Sequence, residues 1–222
     1  QGAAVHDYRE KGFLPAAVAN FIALLGWSPK DDTDIFTPAD LMARFSLDAV
    51  NRSPSRFDWE KCSWTNQQHL MALSPDDFAT AAQPFVKAAR IAVTERYPAM
   101  AASVQEKVQT LTEVPRAIDF YLKLPPTDEE TRSKVMKNAE APRLLSALAE
   151  KLKTLPDWSE AKNAIAATAT DHNVKPGKLM FPLRVALSGR SAGPSLDDIL
   201  AILGKDESIR RIEDTADQLT NA

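Results

Sequence analysis

Cysteine, histidine and glycine are scarce in this sequence, and each scarcity excludes a class of site. One cysteine, Cys62, and three histidines occur in 222 residues. No internal disulfide framework can form, and no CxxC or HxxxH pair offers the spacing of a metal site. The seven glycines form neither a GxGxxG motif nor a lysine-bearing P-loop. We therefore expect no metal and no cofactor in this chain.

Long apolar runs are also missing. No stretch approaches the roughly 18 apolar residues that a membrane-spanning helix requires. The 44% of hydrophobic residues is nevertheless enough to bury a core, and the length allows one or two domains. A single cysteine fits a reducing compartment. These observations predict a soluble cytoplasmic protein with no membrane partner.

A catalytic constellation is absent as well. Cys62 has no activating neighbour in the sequence, so it is interpreted as a small packed residue rather than a nucleophile. The acidic pairs at 76–77 and 129–130 stand where helix N-termini favour negative charge, which indicates capping rather than acid–base chemistry. We predict no catalytic residue in this chain.

The chain lacks an excess of positive charge. Its net charge is −3 and its pI is near 5.7, which argues against nucleic-acid binding by bulk charge and against DNA as a partner. The stretch from 175 to 211 is different, because it holds seven basic residues against four acidic ones. The sequence leaves open whether these basic residues form one focused basic surface.

What the sequence does contain is helical periodicity, with no convincing strand alternation. Thr37 with Pro38 and Ser74 with Pro75 are typical N-caps followed by proline in the first turn. The predicted fold is all-α. The predicted helices cover 14–26, 36–45, 58–71, 74–90, 96–112, 114–122, 128–138, 142–153, 159–172, 176–188, 195–203 and 206–219. Pro84 and Pro182 are expected to kink or restart the helices that contain them.

Two loops suggest domain boundaries, near 72–74 and within LPPTDEET at 124–131. The predicted parts are 1–73, 74–124 and 125–222. No long apolar stripe is left over for an interface between subunits, so we expect a monomer.

Three elements follow one another along the chain. The first runs from YREKGFLP to LLGWS, the second is the FDWEKCSWTN stretch, and the third joins PLRVALSG to GPSLDDILAILGK. They match the following positions: Tyr8, Gly12, Phe13, Leu14, Pro15, Asn20, Leu24, Leu25, Gly26, Trp27, Ser28, Phe57, Asp58, Lys61, Trp64, Asn66, Pro182, Leu183, Arg184, Ala186, Leu187, Gly189, Gly193, Pro194, Leu196, Ile199, Leu200, Leu203, Gly204 and Lys205. In this order they resemble the C-terminal portion of bacterial-type glutamyl-tRNA synthetase, a class I aminoacyl-tRNA ligase.

The resemblance implies an elongated array of short helices of the α-helical cage type. Its parts are a stem-contact region at 1–73 and two anticodon-binding subdomains at 74–124 and 125–222. In this family ATP, Mg and glutamate bind in an N-terminal Rossmann-type domain, and the resemblance leads us to expect that this domain is missing from the sequence. We therefore expect a chain that binds tRNA-Glu and cannot charge it, although the parent protein would be an enzyme of protein biosynthesis.

The resemblance also assigns roles to individual residues. Gly193, Pro194 and Leu196 match positions that line the pocket for the first anticodon bases, and Arg184 matches an arginine that reaches the same bases. A turn rich in glycine and proline lets backbone groups approach a base closely. Without the family match, the turn would only reverse the chain and Leu196 would be core.

Lys107 matches the residue that inspects the third anticodon base, which is commonly arginine. Lysine is a flexible point donor without the arginine fork, so binding of tRNA-Gln as well as tRNA-Glu stays open. Arg56 and Lys61 are predicted to contact phosphates of the tRNA stem. Trp59 and Trp64 are expected in the core.

Two other classes of function remain as alternatives. A helical protein-interaction scaffold without RNA binding is favoured by the negative net charge. An independent small enzyme would need a catalytic constellation that the sequence does not show.

Overall fold

The structure, a computed structural model, describes residues 5–29, 31–51 and 56–221. Within these ranges the chain is built from helices, and no strand is present. One isolated antiparallel bridge pairs Trp27 with Val50. The prediction of an all-α fold is confirmed.

Thirteen α-helices lie in the described ranges. They are α1 (Val5–Glu10), α2 (Pro15–Gly26), α3 (Pro38–Arg44), α4 (Trp59–Met71), α5 (Pro75–Ala88), α6 (Tyr97–Val104), α7 (Val114–Ile118), α8 (Glu129–Met136), α9 (Ala141–Lys153), α10 (Ala161–Asp171), α11 (Pro176–Ser188), α12 (Leu196–Leu203) and α13 (Lys205–Thr220). Short 3₁₀ segments lie at Leu47–Ala49, Gln105–Lys107, Leu111–Glu113, Asp119–Tyr121 and Trp158–Glu160.

The predicted helix starts are confirmed by their caps. The Thr37 hydroxyl accepts a hydrogen bond from the Asp40 amide, and the Asp40 carboxylate accepts one from the Thr37 amide, which completes a capping box. Ser74 accepts from the Asp77 amide in the same way at the start of α5. Local side-chain chemistry therefore sets where these helices begin.

The prediction of a continuous helix over 96–112 is wrong. Helix α6 ends at Val104, a 3₁₀ turn follows, and the backbone is extended at Val108. The Gln105 side chain donates to the carbonyl of Leu70 in the last turn of α4 and to that of Leu73 in the loop that follows, and Thr110 bonds to the Glu113 carboxylate. Tertiary and local side-chain bonds thus replace the helical ones. Neither helix restarts at its proline, because α5 and α11 run through Pro84 and Pro182.

The chain divides into two compact units, Gln1–Ala117 and Ile118–Ala222. The predicted boundary near 73 lies inside the first unit, on the loop between α4 and α5. The predicted boundary at 124 lies seven residues after the end of the first unit. The division into three functional parts remains a prediction.

In the first unit, α2 packs against α4. Their core contains Tyr8, Phe13, Phe21 and Cys62. Beside it, the buried amide of Asn20 holds the incoming loop, because its Oδ1 accepts from the Phe36 amide at 2.8 Å and its Nδ2 donates to the Asp34 carbonyl. The same oxygen lies 3.0 Å from His69 Nε2, so that nitrogen carries the proton, and burial lowers the pKa of His69.

In the second unit, α9 supplies an apolar stripe of leucines that lies against α10, α11 and α13. Leu144, Leu145, Leu148 and Leu152 are fully buried, at the spacing of one helical face. Helix α11 packs in this bundle against α9, α10 and α13.

Candidate nucleic-acid interface

Lys107 ends the 3₁₀ turn that follows α6, and its side chain is about half exposed. Its ammonium lies 3.9 Å from the Glu106 carboxylate. An exposed pair at that distance contributes little to stability. Lys107 is therefore able to turn toward another acceptor.

Side-chain amides hold the backbone on both sides of Lys107. Gln105 Nε2 donates to the carbonyls of Leu70 at 2.7 Å and Leu73 at 3.0 Å. From α4, Gln67 Nε2 donates to the Glu106 carbonyl at 3.0 Å. The backbone that carries Lys107 is thus tied to α4 and the loop that follows it, while the ammonium faces solvent.

Asn66 and Gly12 complete this attachment. Asn66 Nδ2 donates to the Gln109 carbonyl at 2.6 Å, and its Oδ1 accepts from the Leu14 amide at 2.8 Å. Gly12 has φ +77°, and a Cβ there would lie 2.6 Å from the Thr112 nitrogen. The motif residues Gly12 and Asn66 therefore dock the segment that carries Lys107 onto the start of α2 and onto α4.

The predicted stem contacts, Arg56 and Lys61, are both exposed. Lys61 Nζ lies 3.0 Å from Asp34 Oδ1, and both side chains are about half exposed. Such a surface pair is worth roughly 0–1 kcal/mol, so a phosphate can compete for this ammonium.

The expectation that Trp59 and Trp64 are core residues is wrong. Trp59 is 49% exposed and Trp64 is 39% exposed. Trp59 contacts the rings of Tyr8 and Phe57 on one side, and the Lys11 ammonium lies 4.5 Å from its ring centre. Trp64 lies on the solvent-facing side of α4, as does Lys61, because Cys62, Asn66 and His69 occupy the buried side.

In the second unit, Arg184 closes the turn between α11 and α12. Its Nη1 donates to the Pro194 carbonyl at 2.5 Å, and the side chain is half-buried. Burial lowers the pKa of Arg184 from its ordinary value, but a guanidinium remains protonated at neutral pH. Five N–H groups are available on arginine, and within the described part of the chain one of them is used.

Two glycines shape this turn. Gly189 ends α11 with φ +69°, and a Cβ there would lie 2.5 Å from the Pro125 carbonyl oxygen. Gly193 has φ +154° with no atom within 4 Å of a Cβ position. The backbone at Gly193 is therefore open to close approach from outside.

The other two residues predicted for the pocket are less accessible. Pro194 is buried, and Leu196 is 6% exposed. Leu196 begins α12 and faces the core, while Ser195 caps the helix by accepting from the Asp198 amide. Leu196 thus packs in the core at the end of the turn and exposes almost none of its side chain. Asp197 and Asp198 in the first helical turn make this helix end unfavourable for a phosphate.

Most of the positive charge in the stretch from 175 to 211 is neutralised by carboxylates. Lys178 pairs with Glu140 at 2.8 Å, and Arg190 pairs with Asp119 at 2.5 Å. Arg210 and Arg211 share Glu207. The local surplus seen in the sequence therefore does not produce a continuous basic patch. Arg184 donates to a backbone carbonyl instead of a carboxylate, and Lys205 does the same, because its Nζ lies 2.9 Å from the Leu155 carbonyl oxygen.

Residues 5–29, 31–51 and 56–221 contain no group of three histidine, cysteine, aspartate or glutamate side chains able to hold a metal ion. In the same ranges no helix is long and apolar enough to cross a membrane.

Comparison with known families defines the class. Residues 77–216 match the family model of the anticodon binding domain, and this match covers more than half of the chain. The chain belongs to that family. Residues 2–64 match the catalytic domain of class I tRNA synthetases for glutamate and glutamine. The resemblance drawn from the sequence motifs is confirmed.

The relatives narrow the class further. The chain is 49% identical to the glutamate–tRNA ligase of Akkermansia muciniphila over 95% of its own length and 48% of that protein. It is 36% identical to the glutamate–tRNA ligase of Streptomyces griseus over 98% of its length and 45% of that protein. The chain thus spans about half the length of these relatives.

Solved structures agree with this assignment. The crystal structure of a glutamate tRNA ligase from Elizabethkingia meningosepticum superposes with a TM-score of 0.83 at 29% identity, covering 96% of this chain and 43% of that protein. Glutamate-tRNA synthetase from Elizabethkingia anophelis superposes with a TM-score of 0.80, also at 29% identity, over 95% of this chain and 42% of that protein.

Proposed function

We propose that this chain binds tRNA-Glu and reads its anticodon, so that the tRNA is positioned for ATP-dependent glutamylation by a catalytic site outside this chain. The observation that carries the proposal is the match of 77–216 to an anticodon binding domain. The similarity to glutamate–tRNA ligases supports tRNA-Glu as the partner. ATP and Mg belong to the catalytic part of such an enzyme.

The geometry at Arg184 supports a role with the first anticodon bases. One bond to the Pro194 carbonyl fixes the guanidinium in place, and its remaining N–H groups can donate to base-edge acceptors. The open backbone at Gly193 allows a base to approach closely. In this proposal Pro194 and Leu196 set the shape of the turn rather than offering side-chain surface.

The geometry at Lys107 supports a role with the third anticodon base. Its backbone is fixed by hydrogen bonds from Gln105 and Gln67, and its ammonium is free to reorient. Unstacked bases of an RNA loop expose their edges to such donors. Arg56 and Lys61 would add contacts to phosphates of the stem, which position the RNA without reading its sequence.

The test is the binding of tRNA-Glu compared with the same tRNA carrying a changed first or third anticodon base. Each good base contact is worth roughly 1–3 kcal/mol, so either change should weaken binding about 5-fold to 150-fold. Equal affinity for all three RNAs would contradict anticodon reading. No binding at low salt would contradict an RNA role altogether and favour a protein-interaction scaffold, the alternative that the negative net charge favours.

A further inference from the structure

Arg211 on α13 is a buried charged residue. Its side chain is 1% exposed. Its Nε donates to Glu207 Oε1 at 2.6 Å, and its Nη1 donates to the carbonyls of Phe120 at 2.8 Å and Leu187 at 2.7 Å. A buried guanidinium is costly unless it is paired and hydrogen-bonded. These partners therefore determine where the surrounding backbone must lie.

One of the carbonyls belongs to the end of α11. The last four carbonyls of a helix have no partner inside the helix, and a cation near them is favourable. Leu187 is the residue before the last one of α11. Arg211 thus satisfies an otherwise unpartnered carbonyl and fixes the final helical turn, which begins at Arg184.

The other carbonyl belongs to the Asp119–Tyr121 turn, which lies behind the α11–α12 turn. Arg190 Nη2 pairs with Asp119 Oδ1 at 2.5 Å, and its guanidinium lies 5.6 Å from the Phe120 ring centre. Gly189 packs its backbone against the Pro125 carbonyl. The stretch 119–125 is therefore the floor on which the turn from 189 to 195 rests, and Arg211 ties this floor to α11.

We propose that Arg211, balanced by Glu207, is a positioning residue for anticodon reading. It holds the C-terminal turn of α11 against the 119–125 floor, and this sets where Arg184 and the Gly193 backbone meet the RNA. Arg211 itself is too buried to contact RNA. This inference rests on the proposed function, because it assigns a positioning role within the same site.

The neighbouring Arg210 provides a matched control. It carries the same charge, lies on the same helix and binds the same Glu207 carboxylate at 2.7 Å. Its side chain is exposed and also pairs with Asp214 at 2.8 Å. In the described part of the chain it donates to no backbone carbonyl of α11 or of the floor. Arg210→Met therefore removes a charge without releasing the turn.

The experiment uses the full chain with Arg211→Met, Arg211→Lys and Arg210→Met. Dissociation constants are measured for tRNA-Glu and for the same tRNA with a changed first anticodon base, at a temperature where melting curves show every variant folded. We expect Arg211→Met to reduce the ratio of the two constants about tenfold, the lower part of the range for one base contact. Arg210→Met should leave the ratio unchanged. A folded Arg211→Met variant that keeps the wild-type ratio would overturn the proposal.

A second measurement needs no RNA. Amide hydrogen exchange across 187–198 should accelerate in Arg211→Met and stay at the wild-type rate in Arg210→Met, because opening of the turn no longer breaks the Arg211 bonds. If Arg211→Met does not fold, Arg211→Lys takes its place, since one ammonium cannot reproduce the arginine fork that holds both carbonyls and Glu207.

The two measurements separate the inference from the function on which it rests. A wild-type chain that does not distinguish the two RNAs would remove the proposed function, and the exchange data would still decide whether Arg211 holds the turn. Exchange that is unchanged in the Arg211 variants would overturn the positioning role whatever the RNA data show.

Discussion

At the residue scale, Lys107 is the position of the proposed site where a single substitution is expected to alter base selectivity most directly. An arginine at this position would present a planar fork that matches two acceptors of one base. Lysine presents a compact ammonium on a flexible stem, and the backbone below it is fixed by Gln105 and Gln67. In the proposed site, selectivity for the third anticodon base is therefore limited by the lysine side chain and not by movement of the backbone that carries it.

We predict that Lys107→Arg sharpens discrimination between tRNA-Glu and tRNA-Gln. The ratio of the two dissociation constants should increase about tenfold, since a bidentate contact contributes roughly 1–3 kcal/mol of discrimination. Lys87→Arg, another exposed lysine of the first unit, is the control and should leave the ratio unchanged. An unaltered ratio in Lys107→Arg would remove this residue from anticodon reading.

Cys62, in contrast to Lys107, is a residue whose surroundings make its side chain unreactive. It is fully buried, and burial raises the pKa of its thiol to about 11. About one thiol in a thousand is then ionised at pH 8, and the thiolate is the reactive form. We predict that iodoacetamide modifies the native protein very slowly and the urea-unfolded protein rapidly, as followed by mass spectrometry. Rapid labelling of the native protein would contradict this.

At the scale of elements, the docking of the 105–113 segment depends on a glycine. Gly12 has φ +77°, and a Cβ there would lie 2.6 Å and 2.8 Å from the backbone nitrogens of Thr112 and Leu111. A side chain at this position is strained both by the backbone conformation and by the neighbouring backbone. The clash cannot be relieved by a side-chain rotation.

We predict that Gly12→Ala lowers the free energy of unfolding by about 2 kcal/mol or more, measured by urea denaturation. The control is Gly177→Ala on α11, where no atom lies within 4 Å of the Cβ position. This control should be neutral or stabilising by about 0.4–1 kcal/mol. Equal stability of the two variants would mean that the segment can shift away from Gly12 at no cost.

Helix α13 carries an acidic group whose ionisation stabilises the second unit. Hydrogen bonds from Arg210 and then Arg211 lower the pKa of Glu207 to about 2 from an ordinary value of 4.5. Because the folded-state pKa is lowered, the stabilisation is fully present above pH 4.5 and is lost as the pH falls toward 2.

We predict that Glu207→Gln lowers the free energy of unfolding by about 2 kcal/mol at pH 7. This value is reduced from the full pKa shift because the side chain is 35% exposed and solvent screens the carboxylate. The difference from wild type should narrow steadily in urea unfolding at pH 4 and pH 3. Asp217→Asn, on an exposed position of the same helix, is the control. A gap that does not depend on pH would show that the ionisation of Glu207 is not its source.

At the scale of the whole molecule, the net charge of −3 limits how RNA can be held. Binding by bulk charge is unfavourable, so the proposed function requires that a small number of cations supply the phosphate contacts. Arg56 and Lys61 are exposed and lie in the part of the chain that the sequence motifs assign to the stem. The salt dependence of tRNA binding counts such contacts.

We predict that the affinity for tRNA-Glu falls linearly with salt on a double-logarithmic plot, and that Lys61→Ala reduces the magnitude of the slope by about 1. The loss should be the same for tRNA with a changed anticodon, because a phosphate contact carries no sequence information. Lys87→Ala should leave the slope unchanged. A Lys61→Ala slope equal to the wild-type slope would exclude the phosphate contact.

The sequence by itself determined the fold class, the family and the helix starts. These depend on local signals, such as the Thr37 and Ser74 caps and the apolar stripe of α9, and on short motifs whose residue types and spacing can be read from the sequence. The resemblance to a known family then indicated the candidate residues, because the order of motif residues along the chain can be compared without knowing how they pack.

Only the tertiary structure decided which of those residues are accessible and what holds them. It ended α6 at Val104, where the next residue, Gln105, binds carbonyls of α4 and of the loop that follows α4, more than 30 residues away in the chain. It exposed Trp64 and buried Leu196, since the burial of an individual apolar residue also depends on which elements pack against it. It also placed Arg211 under the α11–α12 turn, through a hydrogen bond to a carbonyl 91 residues away. Long-range contacts of this kind leave no local pattern in the sequence from which they could be predicted.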